Sequence, residues 1–246
     1  MPTNEPQVQI YATLDELQAA AAERLAALAE QLGRERGAVL LALSGGSTPP
    51  GVFRRLVAEP LRSRVPWEQL SVIWCDERVV PFDSPESNYG QACATLLDHV
   101  PIPSIQIYPV ATYFPPERAA EVYERQVKAL LAAHDGRIDI ALLGMGPDGH
   151  TASLFPGFPQ LDAPADQLVA AVTGAPKPPP DRVTLTAGAL NRSAHALFLV
   201  AGADKAPKVR AALQGPYDPH ATPAQLIRPP NGTVTWLLDS AAATQL

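Results

Sequence analysis

Short runs of consecutive apolar residues alternate with stretches in which apolar residues recur every three or four positions, and the alternation persists along the chain. Residues 38–43 (AVLLAL), 71–75 (SVIWC) and 138–143 (IDIALL) are nearly continuous apolar runs, the pattern of strands covered on both faces of a parallel sheet. Further strands are predicted at 8–11, 105–109, 168–172, 194–200 and 234–238. Leu14, Leu17, Ala21, Leu25, Leu28 and Leu32 mark the inward face of a long helix. Thr13 and Glu16 form a capping box at its start, and Gly33 or Gly37 is expected to end it. Other helices are expected at 51–58, 87–98, 116–133 and 205–213. Strands alternating with helices in this way predict an α/β fold with a mostly parallel, Rossmann-like sheet and helices on both faces.

The prolines, 27 in 246 residues, offer one candidate linker, 175–181 (APKPPPD). The alternation continues beyond it, so the stretch reads as a rigid surface loop over a site, and residues 1–246 as a single domain. At 46% hydrophobic and 18% charged the chain is globular in composition. A net charge of −6 argues against a nucleic-acid or anionic-membrane surface. The first residues lack the basic flank and apolar stretch of a secretory signal, and no apolar run approaches a membrane span. A cytoplasmic protein is expected, as a monomer or small homo-oligomer. Cys75 and Cys93 make neither a disulfide framework nor a zinc spacing, and no metal cluster is visible.

In open parallel sheets, ligands bind where strands end and loops lead into helices. Three such loops carry the candidate chemistry. The first, Ser44-Gly45-Gly46-Ser47-Thr48-Pro49-Pro50, lets the backbone approach a ligand closely and opens a helix whose free amides and dipole favour an anion such as phosphate. It is neither a Walker A loop nor a nucleophile elbow; Ala42 stands where the elbow's first glycine would be. A plain tight turn is the alternative. The second, Asp76-Glu77-Arg78, follows the SVIWC run. Arg78 could clamp a phosphate while Asp76 orients it or a sugar hydroxyl, or the two could form a solvated ion pair. Ser87 and Asn88 cap the helix that follows, and Asn88 has either that role alone or a ligand as well.

The third loop runs Gly144-Met145-Gly146-Pro147-Asp148-Gly149-His150-Thr151-Ala152-Ser153. It contains G-x-G-x-x-G, but Pro147 interrupts the turn and no acid follows at the dinucleotide distance, so NAD is rejected. His150, flanked by Asp148, stands at the ligand edge as the side chain suited to taking a proton near neutral pH. His99, His134, His195 and His220 are assigned no site role. Arg182, after the proline loop, and Lys205, in a helix's first turn where a cation is electrostatically unhelpful, could reach the same edge.

LSGGSTP at 43–49, DERVVP with ESNYG at 76–90, GMGPDGHTASLFPG at 144–157, and the 182–186 run followed by 202–205 resemble the 6-phosphogluconolactonase family over nearly the whole chain. That family is similar in fold to glucosamine-6-phosphate deaminase and ribose-5-phosphate isomerase, which implies a three-layer α/β/α sandwich. The deaminases typically carry a glutamate five residues after the histidine and DEY in the second motif; here Phe155 and Arg78 stand instead. The resemblance implies hydrolysis of 6-phospho-D-glucono-1,5-lactone, with His150 as general base on water and Asp148 orienting it. Gly45, Gly46, Ser47, Thr48, Arg78 and Lys205 would hold the phosphate and hydroxyls of this small phosphosugar lactone, with Arg182 a further member. Backbone amides of the third loop or Arg78 would steady the oxyanion, and no cofactor is needed. The alternatives are an amino-sugar-phosphate isomerase or deaminase, a non-catalytic sugar-phosphate-binding module, and a serine hydrolase using Ser44 or Ser47.

Overall fold

Why the apolar runs become strands is plain in the computed structural model, which describes residues 5–246. Every residue of β2 (Val39–Leu43) and of β3 (Leu70–Trp74) is buried, and so are the first six of β5 (Ile138–Gly144). With β1 (Gln7–Tyr11), β8 (Ser193–Val200) and β9 (Thr233–Asp239) they form a six-stranded parallel sheet in the order β1-β9-β8-β5-β2-β3. Successive side chains point to opposite faces. Val39, Leu41 and Leu43 accordingly pack with α1 (Leu14–Arg36), α2 (Pro49–Leu56) and α4 (Asn88–Thr95), while Leu40 and Ala42 pack with α5 (Pro116–Ala133) and α7 (Ala206–Gln214). The result is the expected three-layer α/β/α arrangement. No helix among the described residues is long and apolar enough to cross a membrane.

The capping box forms: Thr13 Oγ1 accepts from the Glu16 amide at 3.1 Å, and Glu16 Oε2 accepts from the Ala12 amide at 3.0 Å. Gly37 ends α1 in the left-handed conformation, at φ 73°. Gly33 stays inside the helix, where a Cβ would meet Pro66 and Gln69 within 2.7 Å. Leu14 is exposed and Leu28 half-buried, so the buried face starts at Leu17.

Two expectations are corrected. Residues 105–109 are not a strand: a 3₁₀ turn at Ser104–Gln106 is followed by a single parallel bridge from Ile107 to Val72. Pro101, Pro103 and Pro109 flank it and have no N–H to give a ladder. Conversely, the second loop and the 182–186 run contain strands that periodicity did not mark. β4 (Asp76–Arg78), β6 (Val169–Val172) and β7 (Arg182–Leu185) make a small antiparallel sheet in the order β4-β7-β6, against which α5 packs. Two short helices, α3 (Leu61–Arg64) and α6 (Ala187–Leu190), were also unmarked.

From β2 the chain moves outward to β3, whereas from β5 it moves the other way, to β8. The loops after β2 and β5 therefore part company above adjacent strands, the topological switch point where such sheets leave a crevice. The small sheet stands over the same end: the Cys75 amide donates to Leu43 O, and the Leu185 amide to Cys75 O, both at 2.7 Å.

Candidate active site

The register of the small sheet sets the electrostatics. Arg78 and Arg182 are direct partners across β4 and β7. Like charges opposite one another on antiparallel strands repel, so this pairing calls for an anion. Arg182 is almost fully buried; its Nε donates to Pro179 O at 3.0 Å and its Nη2 to Lys177 O at 3.1 Å. Burial, and secondarily the neighbouring Arg78, lowers its pKa, opposed by Asp76. Arg78 Nη1 donates to Glu86 O at 2.6 Å. Asp76 does not pair with Arg78: its Oδ2 accepts from Ser153 Oγ at 2.6 Å and lies 4.0 Å from Arg182 Nη1.

Ser44, Gly45, Asp76, Arg78, Asn88, Gly144, Ala152 and Arg182 line one pocket of about 70 Å³. Gly45 has no room for a side chain, because a Cβ there would lie 1.8 Å from Asn88 Oδ1. Ser87 caps α4, its Oγ accepting from the Gly90 amide. Asn88 has turned toward the pocket, its Nδ2 donating to Asp76 O at 2.8 Å and its buried Oδ1 left without a partner. A buried, unpaired acceptor in a polar pocket suits a ligand hydroxyl. Gly46, Ser47 and Thr48 are not part of the pocket wall; Ser47 is exposed and Thr48 buried beneath the loop. Thr48 precedes α2 without a side-chain cap, and Pro49 and Pro50, the first two helical residues, carry no N–H to offer a ligand.

The third loop brings His150 beside this pocket. Gly149 turns the chain at φ 89°, its amide donating to Gly146 O, and the Gly146 amide donates to His150 O. With the His150 amide given to Asp148 Oδ1 and the Ser153 amide to Thr184 Oγ1 on β7, four of the loop's amides are already bonded. His150 Nδ1 lies 2.5 Å from Asp148 Oδ1, a geometry in which Nδ1–H donates and Nε2 is left as the free nitrogen. Burial pushes the Asp148 carboxyl up, but the hydrogen bond and charge of His150, with Lys177 beyond, outweigh it and hold Asp148 far below the usual carboxylate range. Phe155 packs against the ring, its centroid 4.6 Å from that of His150 and 5.4 Å from Arg182 Cζ. The Phe155 ring thus packs near both imidazole and guanidinium, which are within about 10 Å of each other. Among the described residues no serine hydroxyl is bonded to His150, so the serine-hydrolase alternative has no support here.

Lys205 precedes α7 half-buried; burial lowers its pKa, while Asp204 and Asp239 oppose the shift. Sequence reasoning missed three members of the constellation. Glu77 is buried and accepts from the amides of Arg78, Asn88 and Tyr89 at 2.7–2.8 Å, tying β4 to the start of α4. Ser153 joins the third loop to Asp76, and Lys177 reaches Asp148. A buried acid between two expected ligand residues was the one available signal for Glu77.

Gly146 sets the position of the ring. A Cβ there would lie 2.1 Å from His150 Cε1 and 2.7 Å from Asp148 Oδ1. Gly146→Ala is expected to displace the pair and lower kcat by roughly 10- to 100-fold, since misplacing a reacting group by about 1 Å costs that much. Thermal melting alongside steady-state rates would separate this from unfolding.

A guanidinium pair near an aspartate-held imidazole, at the switch point of a parallel sheet, is an arrangement suited to a small anionic ligand. The family model described as glucosamine-6-phosphate isomerases/6-phosphogluconolactonase matches residues 12–236, and the chain belongs to that family. It is similar to the 6-phosphogluconolactonase of Mycobacterium tuberculosis (strain ATCC 25618 / H37Rv), 39% identical over 246 residues that cover 97% of this chain and 98% of the relative. The Homo sapiens 6-phosphogluconolactonase is 37% identical over 245 residues, covering 97% and 93%. Among solved structures, the 6-phosphogluconolactonase from Trypanosoma brucei is similar with a TM-score of 0.85 at 32% identity, covering 98% of this chain and 99% of that one. A monomeric glucosamine-6-phosphate deaminase has the same fold, with a TM-score of 0.82 at 24% identity and coverage of 98% and 100%.

Proposed function

We propose that the protein hydrolyses 6-phospho-D-glucono-1,5-lactone to 6-phospho-D-gluconate. The observation that carries the reading is the Asp148–His150 pair within about 10 Å of the guanidinium that pairs with Arg78 across β4 and β7. Arg78, Arg182, Lys205 and the first loop hold the phosphate and the ring hydroxyls. His150 Nε2 removes a proton from water as its oxygen bonds to C1 of the lactone. Asp148 keeps Nδ1 protonated and stabilises the imidazolium that forms. Negative charge developing on the carbonyl oxygen meets the same cationic edge. When the C1–O5 bond breaks, O5 takes the proton from His150, and the ring has opened to the acid. Phe155 supports the lactonase over a deaminase, because no second carboxylate faces His150 at that position.

The test is a pH-stat assay with freshly generated lactone, spontaneous opening subtracted. Enzyme-dependent acid release without ammonia release from glucosamine 6-phosphate is expected; ammonia release without lactone opening would reverse the reading. Arg182→Ala is expected to raise KM by roughly 10- to 100-fold, the loss of a charge-assisted contact through Nη1, the one nitrogen not given to the proline loop. Arg182→Lys recovers only part of this, since an ammonium cannot reproduce the planar fork that also holds the proline loop. Binding of 6-phosphogluconate by calorimetry checks both.

A further inference from the structure

Lys177 has no part in the reaction as described, yet its Nζ lies 3.6 Å from Asp148 Oδ1, the same oxygen that holds His150 Nδ1. Its backbone is fixed: Arg182 grips the carbonyls of Lys177, Pro178 and Pro179, and the prolines that follow lock their own φ angles. The proline-rich loop therefore delivers one ammonium to the back of the histidine–aspartate pair and shares its anchor with the anion pocket.

We propose that Lys177 is a positioning residue that sets the pH at which His150 becomes available as a base, by sharing Asp148 with the imidazole and disfavouring the imidazolium. This rests on the reading of His150 as the general base. Asp148 alone favours the charged ring. An ammonium no more than about 6 Å from Nδ1 opposes it by through-space repulsion between like charges. The other charges around His150 are differently placed. Arg182 packs near the Phe155 ring, with Asp76 beside it. Lys208, on α7, passes Gly149 but gives its Nζ to Ala221 O. Lys205 interacts electrostatically with Lys177 and is countered by Asp204 and Asp239. Lys177 alone shares the carboxylate oxygen to which the imidazole is bonded.

The experiment compares the full-length wild type with Lys177→Met and Lys177→Arg. The His150 ring is titrated by NMR, and the acid limb of kcat/KM for lactone hydrolysis is measured in parallel. In Lys177→Met the ring midpoint should rise by about half a pH unit, with about a threefold loss of kcat/KM on the acid limb. Lys177→Arg should keep the wild-type midpoint. A midpoint that stays or falls in Lys177→Met overturns the proposal, as does an equal shift in Lys177→Arg, which would assign the effect to packing. A ring midpoint that rises without the kinetic limb following upholds the hold of Lys177 on the ring and overturns His150 as the base.

Discussion

Exchanging His150 for glutamine lowers kcat for the lactone by roughly 100- to 10,000-fold, the range of a lost general base, and leaves 6-phosphogluconate binding within about threefold. Glutamine can still bond to Asp148 but takes no proton at the position of Nε2. The His150 side chain is 17% exposed and sits on a loop whose turn is closed by backbone bonds, so the fold does not depend on the ring. Steady-state rates above the spontaneous background, with calorimetric binding of the product on the same sample, check both halves. Retained turnover in a folded variant would remove the base.

The largest effect on stability is expected at the opposite end of β5. Asp139 is fully buried and accepts from the Leu40 amide at 2.8 Å, from Arg36 Nη1, and from Arg137 Nε at 3.3 Å. Burial raises its pKa, but His134, the Leu40 amide and the two guanidiniums outweigh that and leave it below the ordinary value. Removing one partner of a buried ion pair strands the others, so Asp139→Ala is expected to cost about 3 kcal/mol and to lower Tm by about 6–12 °C. The site lies about 16 Å away along the strand, so kcat of the folded variant stays at the wild-type value. Because the folded pKa is depressed, this contribution is present above the unfolded pKa of about 3.9 and is lost as pH falls through the folded value. Urea unfolding at pH 7 and pH 3 should show a large gap between wild type and variant at the higher pH and a smaller one at the lower. A gap that widened in acid would contradict the account.

Much of this could be read from the sequence because the site hangs on long-range rules with local signatures. Continuous apolar runs mark the central strands, and whatever follows them lies at one edge of the sheet; there Gly45, Asp76 and Arg78 line the pocket, and His150 stands in the third loop. Of the small sheet only β6 could be read, at 168–172; β4 and β7, strands of three and four residues carrying Asp76, Glu77, Arg78 and Arg182, have no apolar alternation and exist only by pairing with distant chain. The opposition of Arg78 to Arg182, the strongest argument for an anion, is a fact of register and appears in no motif. Asp139 did leave a trace, as one acid inside the run IDIALL whose burial demands partners. The partners came from α1 and from the start of β5, which folding alone brings together. Lys177 was hidden for a related reason: in a proline-rich loop it reads as a solvated lysine until Arg182 fixes the backbone around it.

The most direct measurement is a crystal structure of the protein with 6-phosphogluconate bound. His150 Nε2 should lie within about 3 Å of the C1 carboxylate, hydrogen-bond reach for the base, with the phosphate at the cationic edge of Arg78, Arg182, Lys205 and the first loop. A phosphate lying against His150, or a C1 carboxylate many ångströms from the imidazole with the cationic edge empty, would contradict the account.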